Sequence, residues 1–246
     1  MDIKKESFLK FISSNKIYHS PKSLMWYFEE LLFNGIELGG KNVLDIGGGI
    51  GLTSFYAASC NATQVDLLEP LSDGSGNVTI EKFIKMKNGL PELSKKINHI
   101  NSTFQNFETN KVKYDVIVLH NSINHLNEEA CINLLEQESA MKEYVGYFEK
   151  LSQLLNKGGR IIIADCSNLN FYNFIGLTNP LARSIEWHKH QKPETWAAIL
   201  AQTGFSSSTI KWSSFKQLRF LGKILFSNKI ASYFLTSHFI IHSKKL

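Results

Sequence analysis

The feature that most constrains the fold of this chain is a glycine-rich segment that directly follows a short apolar run. Residues 43–46 read Val-Leu-Asp-Ile, and the glycines that follow are Gly47, Gly48, Gly49 and Gly51. Glycine lets the backbone turn tightly and lets a ligand approach without a Cβ atom in the way. A helical pattern begins at Leu52, so the free N–H groups at its start face the same loop. This order predicts a ligand-binding turn between a strand and a helix of an α/β sheet.

Short apolar runs and helical patterns alternate along the rest of the chain. Strands are predicted at residues 43–46, 64–68, 97–101, 114–119, 160–164, 209–212 and 238–242. Helices are predicted within 1–38 and at 52–60, 80–87 and 128–155, with a stop at 157–159 and turn-forming residues at 72–77. Such alternation produces a parallel sheet with right-handed crossovers. We expect a three-layer α/β sandwich with a seven-stranded, mostly parallel sheet and an antiparallel last strand.

Length and composition bound the number of domains and the class of partner. The 246 residues, of which 43% are hydrophobic, are enough for one well-buried domain. We predict an N-terminal helical cap over 1–38 and one compact domain over 39–246, with a helical insertion at about 213–236. The net charge of +5 is spread along the chain and no basic tract contains interleaved aromatics, so we expect no nucleic-acid partner. A monomer or a homodimer is expected.

Cysteine usage and the first residues indicate the compartment. Cys60, Cys131 and Cys166 have no spacing typical of a disulfide or a metal site, which favours buried thiols in a reducing environment. Residues 1–6 are charged with both signs and lack the apolar core of a signal peptide. No run of 18 apolar residues occurs. We therefore expect a cytoplasmic protein, and the abundance of Asn, Lys and Ile points to a bacterial source.

The glycine spacing separates this loop from a dinucleotide-binding turn. A G-x-G-x-x-G pattern fails from either starting glycine, because Leu52 or Ser54 occupies its third position. A D-x-G-x-G-x-G pattern that starts at Asp45 fits completely. Glu69 follows the second predicted strand, where a carboxylate can accept both hydroxyls of a ribose. Asp66 is a weaker candidate for that role, because it would lie inside the strand.

These residues resemble those of the class I S-adenosylmethionine-dependent methyltransferases. The glycine segment is similar to motif I of that family, and Glu69 matches its ribose-binding acid. Residues 114–126 are similar to the region of the family's fourth strand, and 155–165 to its Leu-x-x-Gly-Gly entry into the fifth. The likeness covers roughly residues 40–205. It implies the Rossmann-like fold of that family and S-adenosyl-L-methionine as cofactor.

The resemblance also implies roles for single residues at the cofactor. Asp45 corresponds to the acid that orders the loop and helps to place the amino-acid end of the cofactor. Phe104 and Gln105 are similar to the segment that meets the adenine. Pro70, which follows the ribose-binding acid, is counted among the cofactor-binding residues. His120 corresponds to a position near the sulfonium.

The first candidate group for the methyl acceptor follows the fourth predicted strand. Transfer to a hydroxyl benefits from a general base, and histidine is the usual base near neutral pH. His125 aligns with a histidine of the family that either acts as a base or caps a helix, and both roles remain open. Asn121 and Asn124 are predicted to bind a polar substrate, with satisfaction of the loop backbone as the alternative.

The second candidate group follows the fifth predicted strand and is rich in His, Trp and Glu. Asp165, Asn170 and Trp187 are predicted to contact the substrate, and His188 is the leading candidate for the base. His190 is also predicted to contact the substrate. The i, i+2 spacing of the two histidines puts them on one face only in a strand, so we predict no metal site. The alternative is a segment that only caps a helix and packs its aromatic side chains.

Residues 215–235 combine apolar side chains with lysine and arginine. Leu218, Leu221 and Leu225 share one helical face, a pattern that is compatible with peripheral membrane contact. A pair of helices that packs over the sheet edge or forms a dimer is the favoured alternative. If the membrane interpretation holds, the acceptor is a lipid or a lipid-linked glycan.

We therefore predict an enzyme that moves a methyl group from S-adenosylmethionine to a hydroxyl of a small molecule or a glycan. One alternative is a regulatory module of the same fold that binds the cofactor without turnover. Another is a methyltransferase for a lipid-linked or macromolecular acceptor. A nicotinamide oxidoreductase is disfavoured by the glycine spacing.

Overall fold

The computed structural model describes residues 2–70, 77–108, 112–213 and 219–246. Its strands are β1 (Asn42–Ile46), β2 (Gln64–Leu68), β3 (Ile97–Ile100), β4 (Tyr114–His120), β5 (Leu155–Cys166), β6 (Thr209–Ser213) and β7 (His238–Lys244). They form one sheet in the order β3-β2-β1-β4-β5-β7-β6. The predicted α/β class, with a mostly parallel seven-stranded sheet and helices on both faces, is confirmed. The chain divides into two compact units, residues 1–120 and 121–246.

In the first unit the strands pair in parallel. β1 pairs with β2 and β4, and β2 also pairs with β3. Val43 lies opposite Val65 on β2 and Val116 on β4, and all three side chains are buried. Buried apolar side chains on neighbouring strands are typical of a parallel sheet that is covered on both faces. The helices of this unit are α1 (Ile3–Ser14), α2 (Pro21–Tyr27), a π-helical turn (Phe28–Leu32), α3 (Leu52–Ser59), α4 (Asn77–Gly89) and α5 (Pro91–Ser94).

The N-terminal helices follow the signals in the sequence. Asp2 caps α1, and its carboxylate accepts the N–H of Lys4 at 3.0 Å. α2 begins at Pro21, where the missing N–H is not needed and the fixed φ suits a helix. In the π-helical turn that follows, the N–H of Phe33 donates to the carbonyl of Phe28 at 2.9 Å. Helices over the first 38 residues are confirmed, whereas their separation from the rest as a cap stays a prediction.

In the second unit β7 runs antiparallel to both β5 and β6, which confirms the predicted antiparallel last strand. Trp196 is fully buried, and its ring stacks on that of Phe148 with centroids 6.0 Å apart. The helices of this unit are α6 (Glu128–Ile132), α7 (Glu138–Leu154), α8 (Phe171–Phe174), α9 (Pro193–Gln202), α10 (Arg219–Phe226) and α11 (Lys229–Phe234). Two short 3-10 turns cover Asn124–Leu126 and Trp187–Lys189.

The predicted helix over 128–155 is wrong in its continuity, because the structure has two helices, α6 and α7, in this region. The side-chain amide of Asn133 donates to the carbonyl of Glu129 at 2.9 Å, just where α6 ends. Gln137 has an extended backbone and precedes α7. Asparagine competes for backbone hydrogen bonds in this way, which favours ends of helices over their interiors.

The fifth strand is longer than predicted, and the predicted stop at 157–159 is wrong. α7 ends at Leu154 and β5 begins at the next residue. Gly158 has a φ of +77° and donates its N–H to the carbonyl of Lys245 at 3.1 Å. The glycine pair therefore shapes the beginning of a strand instead of ending a helix.

Two predicted segments lie partly outside the described residues. Positions 72–76 of the predicted turn and 215–218 of the predicted amphipathic stretch are among them. The rest of that stretch forms α10 and α11. Within the described ranges, no helix combines the length and the apolar character needed to cross a membrane.

Candidate functional site

The glycine loop joins β1 to α3 and adopts a positive φ at three of its glycines. The angle is +65° at Gly47, +53° at Gly49 and +80° at Gly51. Side chains that contain a Cβ atom rarely adopt this region. The carbonyl of Gly51 accepts the N–H of Phe55 at 2.8 Å and so begins the hydrogen bonds of α3. The loop therefore brings the N-terminus of α3 to the end of β1.

Two neighbouring glycines of this loop face different surroundings. A Cβ atom on Gly48 would lie 2.3 Å from the side chain of Leu67 and 2.6 Å from Oδ2 of Asp45. A Cβ atom on Gly49 would meet nothing within 4 Å. Gly48 is thus required for close packing inside the unit, whereas the loop is open at Gly49, where a ligand can approach the backbone.

Asp45 is a fully buried carboxyl group at the base of the loop. Its Oδ2 accepts the hydroxyl of Ser54 at 2.6 Å, while Oδ1 is buried without a hydrogen-bond partner among the described residues. Burial raises the pKa of Asp45 to about 7; the Ser54 hydrogen bonds oppose this rise and the charge of Glu69 adds to it. A buried carboxyl oxygen without a partner is costly, and a cationic ligand group that reaches it removes that cost.

Glu69 lies directly after β2 and contacts the same loop. Its Oε2 accepts the N–H of Gly49 at 3.0 Å, and its side chain is largely buried. Asp66, the competing acid, accepts the hydroxyl of Tyr114 at 2.6 Å and the amide of Asn98 at 3.2 Å inside the sheet. Of the two acids, the one at the loop has the position that a ribose partner needs.

The other predicted cofactor residues differ in their exposure. Phe104 is buried, Gln105 is exposed and Pro70 is half-buried. Phe83 of α4 was not predicted as a site residue, and its ring would lie 3.2 Å from a Cβ atom on Gly51. Its ring centroid is also 5.1 Å from that of His99, so an aromatic pair flanks the loop. An amphipathic helix offers several apolar side chains, and its sequence does not show which one reaches the loop.

His120 ends β4 and has a hydroxyl group close to each ring nitrogen. Its Nε2 is 3.2 Å from the Tyr27 hydroxyl, and its Nδ1 is 3.4 Å from Oγ1 of Thr53. The rings of Tyr27 and His120 stack with centroids 5.5 Å apart. Tyr27 and Thr53 were not predicted as site residues, because Tyr27 is 93 positions from the histidine and only the fold brings the two together.

The residues that follow β4 belong to the second unit. Asn121 is exposed with a φ of +55°, and its N–H donates to the carbonyl of Ala164 at 2.7 Å. Asn124 is buried, and its Oδ1 has no hydrogen-bond partner among the described residues. His125 is exposed and pairs with Oε1 of Glu128 at 2.6 Å. Asn124 thus keeps a buried acceptor atom, whereas the ring of His125 is hydrogen-bonded to Glu128 at the surface.

Asp165 and His190 form a largely buried carboxylate–imidazole pair in the second unit. Asp165 is 1% exposed, and its Oδ1 and Oδ2 lie 3.1 and 3.2 Å from Nδ1 of His190. Because Nδ1–H donates to the carboxylate, Nε2 can accept a proton. No hydrogen bond to Nε2 is formed by the described residues. The sequence indicated both residues as substrate contacts but not that they pair.

The other predicted residues of this segment have different environments. His188 is exposed, and its neighbour Trp187 is buried. Asn170 is buried, and its amide donates to the carbonyl of Leu235 at 3.1 Å and to the hydroxyl of Ser237 at 2.9 Å. Its Oδ1 accepts a backbone N–H at the start of α8. Asn170 is therefore engaged in holding the loop before α8, while His188 faces solvent.

Comparison with known proteins identifies the family. Residues 19–208 match the model of a methyltransferase domain. The chain belongs to this methyltransferase family. It is a class I, Rossmann-like S-adenosylmethionine-dependent methyltransferase, and S-adenosyl-L-methionine is its cofactor. A comparison with curated proteins found no match.

Solved structures of methyltransferases share the fold. An S-adenosylmethionine-dependent methyltransferase from Aquifex aeolicus is 13% identical with a TM-score of 0.59, over 95% of this chain and 98% of that one. A proposed S-adenosylmethionine-dependent methyltransferase from Listeria monocytogenes is 13% identical with a TM-score of 0.59, over 91% and 99%. An O-methyltransferase family 2 protein from Planctomyces limnophilus, solved with apigenin, is 14% identical with a TM-score of 0.53, over 86% and 52%. At these identities the likeness shows the fold alone.

The first unit of this methyltransferase fits its cofactor by its own geometry. The unpartnered Oδ1 of Asp45 suits the cationic amino group of S-adenosylmethionine. The carboxylate of Glu69 beside the loop suits ribose hydroxyls. The open face at Gly49 lets the backbone of the loop approach a ligand. These three residues would hold the cofactor.

Proposed function

We propose that this methyltransferase acts on a hydroxyl group of a small molecule or a glycan. The observation that carries the proposal is the pair of Asp165 and His190, in which a buried carboxylate fixes the tautomer and orientation of an imidazole. An alcohol is a weak nucleophile until it loses its proton, so an oriented base is most useful for that class of acceptor. A neutral amine already has a free lone pair and can attack without such a base.

Proton transfer to His190 is the step that this chain's own residues would perform. S-adenosylmethionine supplies a methyl group made electrophilic by the sulfonium. Nε2 of His190 would take the proton of the acceptor hydroxyl, which leaves the oxygen with the lone pair that accepts the methyl group. Asp165 stabilises the imidazolium that forms, because its negative charge is 3.1 Å from Nδ1 in a buried position.

The two histidines predicted as bases are less suited to this role. His188 is exposed, and no described side chain orients its ring. His125 pairs with Glu128 on the surface, and both side chains are about half exposed. A base needs a fixed direction toward the proton that it takes, and of these three histidines only His190 is held by a buried carboxylate, that of Asp165. His188 therefore becomes the matched control for His190.

One structural neighbour is an O-methyltransferase, so the shared fold is compatible with a hydroxyl acceptor. The Planctomyces limnophilus protein was solved with apigenin, and its fold covers 86% of this chain. At 14% identity the acceptor itself does not carry over, so the proposal names only the hydroxyl class.

The test is an assay of S-adenosylhomocysteine formation with the purified protein and a panel of acceptors. Phenols, sugar hydroxyls and aliphatic alcohols form one set, and primary amines of similar size form the other. We expect turnover with at least one hydroxyl acceptor and none with the matched amines. Turnover with amines alone would overturn the proposal. Cofactor binding without turnover on either set would instead favour a regulatory module.

A further inference from the structure

We propose that α10 and α11 form a docking surface for an anionic lipid bilayer. This inference does not depend on the proposed acceptor. The surface, called here the apolar face, consists of six side chains that are between 48% and 75% exposed. They are Phe220, Leu221, Ile224, Leu225, Ile230 and Phe234.

In α10 the apolar side chains are exposed, which is the opposite of a helix that packs its apolar side on its own protein. Phe220, Leu221, Ile224 and Leu225 have the i, i+1, i+4, i+5 spacing of a single helical face, and all are exposed. The buried residue of this helix is Gly222, on another side. A surface helix normally buries its apolar side chains and exposes its polar ones. This helix therefore presents an apolar face that needs a partner outside the unit.

The loop that contains α8 extends the same exposed region. The ring of Phe171 lies 5.1 Å from that of Phe234 on α11. Phe174, at the end of α8, is 79% exposed, and Leu177 is 59% exposed. The buried amide of Asn170 donates to the carbonyl of Tyr233 and ties this loop to α11. The apolar face thus continues onto a second segment that is anchored to α11. Together they form a contiguous apolar patch, whereas an ordinary protein surface exposes only scattered single apolar side chains.

Charge decides which occupant the apolar face fits. Residues 195–246 contain seven Lys and Arg and no Asp or Glu, and one of these cations, Lys229 on α11, pairs with Glu194 at 2.6 Å. Arg219 is exposed on α10. Burial and the nearby positive charge of Lys223 lower the pKa of Lys211, so two cations lie close together beside this helix. Apolar side chains flanked by cations are complementary to acyl chains below anionic headgroups.

A second copy of the chain is a poorer occupant. A two-fold interface places the same patch on itself, so the cations of one copy would approach those of the other. Like charges brought together in a desolvated interface oppose association. The positive charge beside the apolar face therefore opposes self-association and favours binding to an anionic surface.

The experiment is co-sedimentation of the full chain with vesicles of phosphatidylcholine, with and without phosphatidylglycerol. We expect binding to the anionic vesicles and much weaker binding to the neutral ones. Arg219→Gln combined with Lys223→Gln is expected to weaken binding by about fivefold for each cation removed. Leu221→Ser combined with Ile224→Ser is expected to weaken it more than about tenfold, because binding scales with the apolar area that is inserted.

The matched control replaces two exposed apolar residues elsewhere, Ile3→Ser and Leu135→Ser, which are 84% and 65% exposed. This variant is expected to bind anionic vesicles as the unchanged chain does. All variants should bind S-adenosylmethionine with unchanged affinity, which shows that they are folded. The proposal is overturned if anionic vesicles do not bind the chain, or if the Leu221 and Ile224 variant binds them equally well. It is also overturned if the chain is a dimer that this variant dissociates.

Discussion

The glycine loop and the segment that follows β5 both carry predicted site residues, but their geometries have different origins. In the loop, residues 45–51 are consecutive, and backbone angles with close packing fix the shape. In the later segment, the central contact joins Asp165 to His190, which are 25 positions apart. A site formed by the backbone of consecutive residues can be predicted from the sequence. A site formed by side chains that are distant in sequence depends on the path of the chain between them.

The largest expected effect comes from closing the open face of the loop. Gly49→Arg should abolish binding of S-adenosylmethionine, because a side chain would occupy the open space at this residue. The positive φ at this position also destabilises the folded state by about 1–2 kcal/mol for any residue with a Cβ atom. Isothermal titration calorimetry measures the binding, and thermal unfolding measures the strain.

The control for that change is Gly146→Arg on the exposed face of α7, where a Cβ atom meets nothing within 4 Å. It should keep full affinity, and the loss of a helical glycine should not lower its stability. If Gly49→Arg binds the cofactor as well as this control does, the loop is not the cofactor site.

The second prediction tests whether the paired side chains matter as much for catalysis as the loop does for binding. His190→Gln should lower kcat by about 10²–10⁴-fold, the usual contribution of a general base. Asp165→Asn should lower it less, because the aspartate positions the imidazole and does not itself take the proton. His188→Gln should leave kcat nearly unchanged. Steady-state methylation of a hydroxyl acceptor at saturating substrate measures all three.

A merely structural role of this pair would give a different pattern. With a base in the reaction, the loss in both variants should shrink for an acidic phenol, because such an acceptor ionises with little help. Cofactor affinity should stay unchanged in both. A loss that is equal for phenols and aliphatic alcohols, or one that appears in cofactor affinity, would contradict the base role.

Most of the fold was predictable because it depends on local patterns. The apolar run of β1, the glycines after it and Pro21 at the start of α2 each signal one element by themselves. The site was less predictable. His188 and His190 look alike in sequence, and only their burial distinguishes the ring held by Asp165 from the exposed one. The helix predicted over 128–155 failed for a related reason, since its apolar spacing continues across the break after Asn133.

The third prediction separates two acids near the end of β2, Asp66 inside the strand and Glu69 directly after it. Glu69→Gln should weaken cofactor binding by about 10–100-fold, the range expected for the loss of charge-assisted hydrogen bonds. Asp66→Asn should leave binding nearly unchanged but destabilise the fold, because its carboxylate accepts the Tyr114 hydroxyl inside the sheet. Calorimetry and thermal unfolding of both variants measure the difference. Equal effects on binding would remove the distinction that the structure makes between them.

The last expected effect is a pH dependence that belongs to Asp45. Burial raises its folded pKa to about 7, above the usual 3.8, so between these values the folded state holds a proton that the unfolded state has lost. Stability without ligand should therefore fall as pH rises through this window and stay at its lower level above pH 7. Asp45→Asn should remove this fall, which chemical denaturation at several pH values can measure.

Ligand binding should show the opposite trend with pH, because a cationic amino group favours the ionised form of Asp45. Affinity for S-adenosylmethionine should rise as pH increases toward 7, by about tenfold per unit below that value, and then level off. Binding at pH 6 should also release a proton, and calorimetry in buffers of different ionisation enthalpy detects that release. If affinity in the unchanged chain is flat between pH 5.5 and 8, Asp45 does not meet a cationic group. The loop would then bind its ligand through backbone groups and Glu69 without this carboxylate.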